Sequence, residues 1–165
     1  YPADNRPVGL EPLLASILQD GRALSGAVGH RLSLECEPGL ALLGSETELR
    51  SCFSNLVFNA VKYSPEGGEV RVRAWQDAEG AHVAVQDNGP GIDARHLPRL
   101  TERFYRIDAS RASSTGGTGL GLAIVKHVLI RHRGGLDIHS VPGEGSCFTC
   151  HFQPEQIAQR AAASA

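Results

Sequence analysis

The stretch SSTGGTGLGLAIVKHVLI, residues 113–130, sets Gly116, Gly117, Gly119 and Gly121 at the mouth of an apolar helical pattern. Glycine is about 1 kcal/mol worse than alanine inside a helix, so this cluster needs a reason. The first backbone N–H groups of a helix have no internal partner, and the helix dipole adds partial positive charge there. Glycine lets the backbone close on a ligand. A glycine-rich helix entry therefore suits a phosphate group. Gly117, Gly119 and Gly121 do not spell the dinucleotide fingerprint G-x-G-x-x-G, and no predicted strand precedes them. The G-K-[ST] ending of a P-loop is missing too. The pattern points to a third kind of nucleotide site; taken alone, the stretch also reads as a flexible linker before an ordinary helix.

A second group lies in DNGPGI, Asp87–Ile92. In the preceding AHVAVQD, alternation puts Val83, Val85 and Asp87 on one face of a strand. If that is the core face, Asp87 is a carboxylate at the inner end of the strand and needs a partner. The amino group of an adenine would supply one, and Gly89 and Gly91 would let the loop approach the base. The alternative, a solvated D-N-G turn, fits the phasing less well.

Asn55, Asn59 and Lys62 fall at i, i+4 and i+7 of a helical pattern and share a face. An amide oxygen is a hard ligand suited to Mg²⁺, and lysine is a point charge suited to phosphate. Each alone reads as a polar helix flank; together they make a site. The segment ERFYRIDASR adds Phe104 and Tyr105 among Arg103, Arg106 and Arg111, the make-up of a lid over a triphosphate or of a local apolar anchor.

These residues need elements to hold them. Helical spacing of Leu10, Leu13, Leu14, Ile17, Leu18 and Leu24 predicts a helix over 9–27. HRLSLECE alternates as a strand with Leu32, Leu34 and Cys36 on one face, and PGLALLG reads as a turn and a short strand. Residues 46–63 predict a strong helix whose buried stripe is Leu49, Phe53, Leu56, Ala60 and Tyr63, ended by SPEGGE. EVRVRAW and AHVAVQD form a hairpin joined by QDAEG. Residues 88–118 are irregular apart from a short helical piece at 94–104. That connection is about twice the usual upper length of a loop; loops that long are functional or disordered, which makes it a candidate lid. A helix over 119–133, then GLDIHSV, the turn PGEG and the strand SCFTCHF complete the pattern, with a frayed tail.

The order of elements predicts an α+β two-layer sandwich, a mixed and mostly antiparallel sheet packed against about three helices. The 165 residues make one domain, expected over 1–153, with a lid at about 93–118 and a flexible tail at 154–165. A formal charge of −2 without a basic bias gives no sign of a nucleic-acid partner, and none is expected. No apolar run approaches the roughly 18 residues a bilayer crossing needs, so this stretch of chain is expected to stay out of the membrane. The chain has no methionine, which suggests a piece of a longer protein. Cys147 and Cys150 form a C-x-x-C, but on a strand residues three apart point to opposite faces. They are expected to be structural, and the compartment reducing.

Taken together, the motifs resemble those of the catalytic ATP-binding domain of sensor histidine kinases, whose Bergerat-type fold is shared with Hsp90-type and gyrase-type ATPases. NLVFNAVKYS is similar to the family's N box, DNGPGI to its G1 box, RFYR to its F box and GGTGLGLAIVK to its G2 box. The resemblance implies ATP and Mg²⁺ as cofactors, with Asn59 on the metal, and Asn55 and Lys62 on the phosphates. Tyr63 would lie near the base, Asp87 on the adenine amino group, and Gly89, Gly91 and Ile92 around the pocket. Arg103, Phe104 and Arg106 would belong to the lid, and Gly117, Thr118, Gly119, Leu120, Gly121 and Leu122 to its hinge and the helix entry. Thr101 stands where many members have phenylalanine, and HLPRLTERFYR resembles the phosphate-starvation subgroup. None of the seven histidines has the setting of the family's phosphoacceptor. The implied partners are therefore a separate dimerisation and phosphoacceptor domain and a response regulator. The full-length protein would be a homodimer tethered to the inner face of a bacterial cell membrane, with this domain in the cytoplasm.

Overall fold

Two residue patterns build the molecule, an i, i+3, i+4 apolar stripe on the helices and a period of two on the strands. A computed structural model describes residues 5–26, 29–89, 120–141 and 143–158. The helical stripes give α1 (Leu10–Ser25), α2 (Glu46–Tyr63) and α3 (Leu120–Arg131). The alternating segments give β1 (Arg6–Gly9), β2 (Arg31–Cys36), β3 (Ala41–Gly44), β4 (Glu69–Asp77), β5 (Gly80–Asp87), β6 (Gly135–Val141) and β7 (Gly145–Phe152).

Five of the strands form one sheet in the order β2-β4-β5-β7-β6, in which only β2 and β4 run parallel. The mixed, mostly antiparallel sheet is the one the element order predicts. Its core face carries Val70, Val72, Ala74, Val83, Val85, Cys150 and Phe152, which share a cluster with Leu14, Ile17, Phe53, Val57, Val125 and Leu129 from the three helices. Phe53 and Phe152 meet edge to face, with ring centroids 6.2 Å apart at 75°.

The structure departs from the sequence pattern in four places. β1 pairs antiparallel with β3, from Arg6 opposite Gly44 to Gly9 opposite Ala41. It has one buried residue, Val8, and so no periodicity of its own to announce it. The β4–β5 hairpin is tighter than QDAEG suggests, with Asp77 paired to Gly80 across Ala78 and Glu79. Tyr63 leaves the buried stripe of α2 and is 40% exposed; the chain turns away at Ser64-Pro65. The predicted flexible tail begins with ordered residues: a 3₁₀ turn at Pro154–Gln156, a bridge from Ile157 to Leu42, and an Ala158 N–H donated to the Ala41 carbonyl at 2.9 Å. Burial of Ala158 and contact of Ile157 with the core hold that segment.

Helix α2 is fastened at both ends. At its start, Ser45 Oγ accepts the Glu48 N–H at 3.2 Å, the forward half of a capping box. The reciprocal half is replaced by a tertiary contact. Glu48 instead takes a two-pronged ion pair with Arg131 at 2.7 and 3.1 Å, and the Ser45 N–H donates to Nε2 of the buried His132. His132 Nδ1 lies 2.8 Å from the Val128 carbonyl, which makes it the protonated nitrogen. At the far end, Ser64 Oγ donates to the Ala60 carbonyl at 2.7 Å, and Pro65 stops the helix.

As strand geometry requires, Cys150 is buried in the core while Cys147 is half-buried on the opposite face, and all four cysteines are free thiols. A hydrogen bond with Cys52, followed by burial, pushes the Cys150 thiol well above its ordinary range, which keeps it unreactive.

Phe53→Ala removes the central core ring and leaves Phe152 without its partner. It should cost about 3–5 kcal/mol, seen as a fall of about 1–2 M in the urea midpoint. A change under about 1 kcal/mol would place the packing centre elsewhere.

Candidate functional site

Two of the described residues singled out for chemistry, Tyr63 and Gly89, meet where the end of α2 reaches the end of β5. Asp87 is the last residue of β5, a central strand, opposite Val70 of β4 and Ser146 of β7. It is buried, as the phasing with Val83 and Val85 implies. Its Oδ1 accepts the Gly89 N–H at 2.8 Å. Burial holds its carboxyl above the ordinary range, against the pull of hydrogen bonds from the Gly89 and Ser146 backbones.

Position 89 admits only glycine. A Cβ there would lie 2.6 Å from the Tyr63 carbonyl oxygen and 3.0 Å from Asp87 Oδ1. The end of the sheet is thus pressed against the last turn of α2, so the Asp87 carboxylate and the polar face of α2 border one region. Position 145 has a similar constraint: φ is +140°, and a Cβ would collide with the Asp87 carbonyl. On the other side, Asn88 Oδ1 accepts the Glu69 N–H at 3.0 Å and fixes the Gly67-Gly68 turn that follows α2. Nothing in the spacing of DNGPGI signals the Tyr63 contact, the Glu69 bond or the Ser146 bond, because each joins segments distant in sequence.

On α2, Asn55 and Asn59 are half-buried, while Lys62 and Tyr63 are exposed. Asn55 Nδ2 donates to the Ser51 carbonyl at 2.7 Å, which turns the amide oxygen into its remaining acceptor. Phe58, beside Asn59, packs against the core.

Helix α3 ends at the start of α2, through the Arg131–Glu48 and His132–Ser45 contacts, and the two helices pack together. Its first residue is eleven positions back, about 16 Å along the axis. The start of α3 therefore lies toward the Asn59 end of α2. Leu122 is half-buried against the core; Leu120 and Gly121 are placed as helix backbone only. Gly91, Ile92, Arg103, Phe104, Arg106, Gly117, Thr118 and Gly119, the expected lid at 93–118 and the helical piece at 94–104 lie outside the described residues.

The arrangement offers a buried acceptor for a base, an amide and an amine for phosphates, and a helix N-terminus nearby. The residues present fit a hard divalent ion held mainly by its substrate. Among the described residues no group of three or more His, Cys, Asp or Glu is arranged to hold a metal, and Mg²⁺ commonly uses one or two protein oxygens together with phosphates. Asn59, half-buried on α2, is the residue that would hold it.

Residues 44–156 match the family model described as histidine kinase-, DNA gyrase B-, and HSP90-like ATPase. The chain is 67% identical over 159 residues to the phosphate regulon sensor protein PhoR of Pseudomonas aeruginosa, covering 96% of this chain and 36% of that protein. It is 46% identical over 142 residues to the sensor-like histidine kinase SenX3 of Mycobacterium tuberculosis, covering 86% and 35% respectively. The chain thus spans about a third of the length of the curated relatives it matches. Among solved structures it resembles the mycobacterial sensor histidine kinase MprB, with TM-score 0.79 and 28% identity over 90% of this chain and 97% of that one. It also resembles full-length ShkA in complex with AMPPNP, with TM-score 0.82 and 28% identity over 98% of this chain and 32% of that one.

The raised carboxyl of Asp87 has a consequence for stability. The native state holds that proton more tightly than the unfolded chain. Between the ordinary carboxylate value and the raised one, stability therefore falls as pH rises, and above that window the penalty is fully present. Asp87→Asn removes the titration. Urea midpoints from about pH 4 to about pH 8 should show the variant gaining on the wild type with rising pH. Parallel curves would place Asp87 in an ordinary solvated setting.

Proposed function

The chain belongs to the histidine kinase-, DNA gyrase B- and HSP90-like ATPase family, and on that premise we propose that it binds Mg·ATP and donates the γ-phosphate to a histidine on a neighbouring helical domain. The observation that carries this reading is Asp87: a buried carboxylate at the end of a central strand, braced by Gly89 against the last turn of α2. A buried acceptor with no charged partner among the described residues suits the adenine amino group, which donates a hydrogen bond and carries no charge.

The other roles follow from the resemblance of the four boxes to those of the family. Gly89, Gly91 and Ile92 line the base pocket. Tyr63, exposed at the lip, lies against the base. Asn55 and Lys62 contact the phosphates, and Asn59 ligates Mg²⁺, which supplies charge neutralisation across them. Arg103, Phe104 and Arg106 belong to a lid over the triphosphate. Gly117, Thr118, Gly119, Leu120, Gly121 and Leu122 bring backbone N–H groups at the start of α3 to the phosphates. Phosphoryl transfer asks a protein mainly for in-line positioning and charge stabilisation, and these residues offer both without a nucleophile. A hydrolytic ATPase needs a carboxylate that activates water; Phe58 stands beside Asn59 and packs into the core, which disfavours that reading.

The full-length protein is proposed to be a homodimeric phosphate-responsive sensor kinase, tethered at the cytoplasmic side of the membrane and acting on a response regulator. The 67% identity to a phosphate regulon sensor supports this placement. No described helix is long and apolar enough to cross a membrane, so the tether would lie elsewhere in the protein.

Asn59→Ala should lower Mg²⁺-dependent ATP affinity about tenfold or more while changing stability by only about 0.5 kcal/mol. Calorimetry with and without Mg²⁺ reads this, and an unchanged Mg²⁺ effect rejects the ligand assignment. The isolated chain should bind ATP without labelling itself. Given γ-labelled ATP, Mg²⁺ and a separately produced helical domain with the acceptor histidine, it should place acid-labile label on that domain. Acid-stable label on serine or threonine, or rapid phosphate release without acceptor, would overturn the proposal.

A further inference from the structure

Alternation turns His82 of β5 and His151 of β7 to the face of the sheet opposite the helices, directly across from each other in register. Their Nδ1 atoms are 2.7 Å apart, with the rings edge to face and centroids 4.9 Å apart. The outer nitrogens are also engaged. His82 Nε2 lies 2.9 Å from Asp77 Oδ1, and His151 Nε2 lies 2.8 Å from Asp137 Oδ2. The bond from His82, together with the Glu79 backbone, holds the Asp77 carboxyl below its usual range. It is therefore an ionised acceptor.

With an aspartate at the outer nitrogen of each ring, the two Nδ1 atoms face each other across 2.7 Å, a place where both can be given to one cation. The His82 side chain is 6% exposed and cannot escape into water, while the His151 side chain is 37% exposed and leaves the pair reachable. A carboxylate on the far nitrogen of each ring is also the arrangement that fixes the tautomer and raises the basicity of a metal-bound imidazole.

We propose that His82 and His151 form a two-imidazole transition-metal site, in which Zn²⁺, Ni²⁺ or Cu²⁺ binds between the two Nδ1 atoms. Imidazole nitrogen suits these ions. No third side chain of the described residues converges with the pair, so water completes the coordination and the site is open. At a metal–nitrogen distance of about 2.0–2.1 Å and a tetrahedral angle, the Nδ1 atoms stand about 3.3 Å apart. A swing of His151 by about 0.6 Å opens that gap. The exchange balances: one M²⁺ binds, two N–M bonds form, and the waters they displace from the hydrated ion leave to solvent. His82 lies five residues from Asp87 along β5 on the other face, about 17 Å away. The site is thus separate from the nucleotide region, and its test is independent of the proposed function.

Trp75, the chain's one tryptophan, has its ring centroid 5.2 Å from that of His82 and reports directly on the site. Titrating the chain with Ni²⁺ alone should quench its fluorescence to saturation at about one equivalent. His151→Ala should abolish the quenching, and His139→Ala, which alters an exposed histidine of β6, should leave it. Asp137→Asn keeps both rings and should weaken binding about tenfold, which tests the site even if His151→Ala unfolds. Non-saturating quenching, or wild-type affinity in the Asp137 or His151 variant, would overturn the proposal.

Discussion

A side chain at position 89 would overlap the carbonyl oxygen of Tyr63, and on that exclusion the geometry of the candidate site depends. Because Gly89 lacks a Cβ, the end of β5 reaches the last turn of α2. Its own N–H is free to hold Asp87 Oδ1 at 2.8 Å. The carboxylate is thereby buried beside helix backbone rather than displaced toward water. The same glycine thus sets two distances, sheet to helix and carboxylate to loop. A bulkier residue would have to relax both together.

Burying Asp87 works against stability, and α2 must not drift if the carboxylate is to meet a ligand. The helix is fastened far from the site. At its start Ser45, Glu48, Arg131 and His132 form one hydrogen-bonded group that joins α2 to the end of α3. A half-buried two-pronged arginine–carboxylate pair is geometrically specific. The capped Ser45 N–H would otherwise be an orphan at a buried helix end. Near the other end of α2, His30 Nε2 lies 3.2 Å from the Ser64 carbonyl and its Nδ1 2.7 Å from Ser25 Oγ, tying α1 to the turn after α2. The polar face bearing Asn55, Asn59 and Lys62 is therefore held by contacts that need not touch a nucleotide.

The two faces of the sheet follow opposite chemistries. One is continuous with the helices and apolar. On the other, Arg73 stands over Trp75 at 5.4 Å, Trp75 contacts His82, and the histidine pair links β5 to β7 while its aspartates come from β4 and β6. The C-x-x-C of β7 is divided between these faces, which is why it cannot act as one dithiol.

Much of this was legible in the order of the residues. Helix α2 was predicted over its observed range because an amphipathic stripe bounded by Pro65 is a local signal. The burial of Asp87 followed from its phase with Val83 and Val85, and the mixed sheet followed from the element order. The boxes carried the family, since their spacing along the chain is itself a sequence property. What the tertiary structure decided is whatever joins distant segments. β1 exists because β3 offers it an edge, and residues 154–158 are ordered because β3 offers a carbonyl. Tyr63 is exposed because the chain turns away just beyond it. The Glu48 side chain serves Arg131 rather than its own cap. The histidines at 82 and 151, unremarkable in the sequence, become a pair through strand register alone. Periodicity specifies which face a side chain occupies; only packing specifies what it meets there.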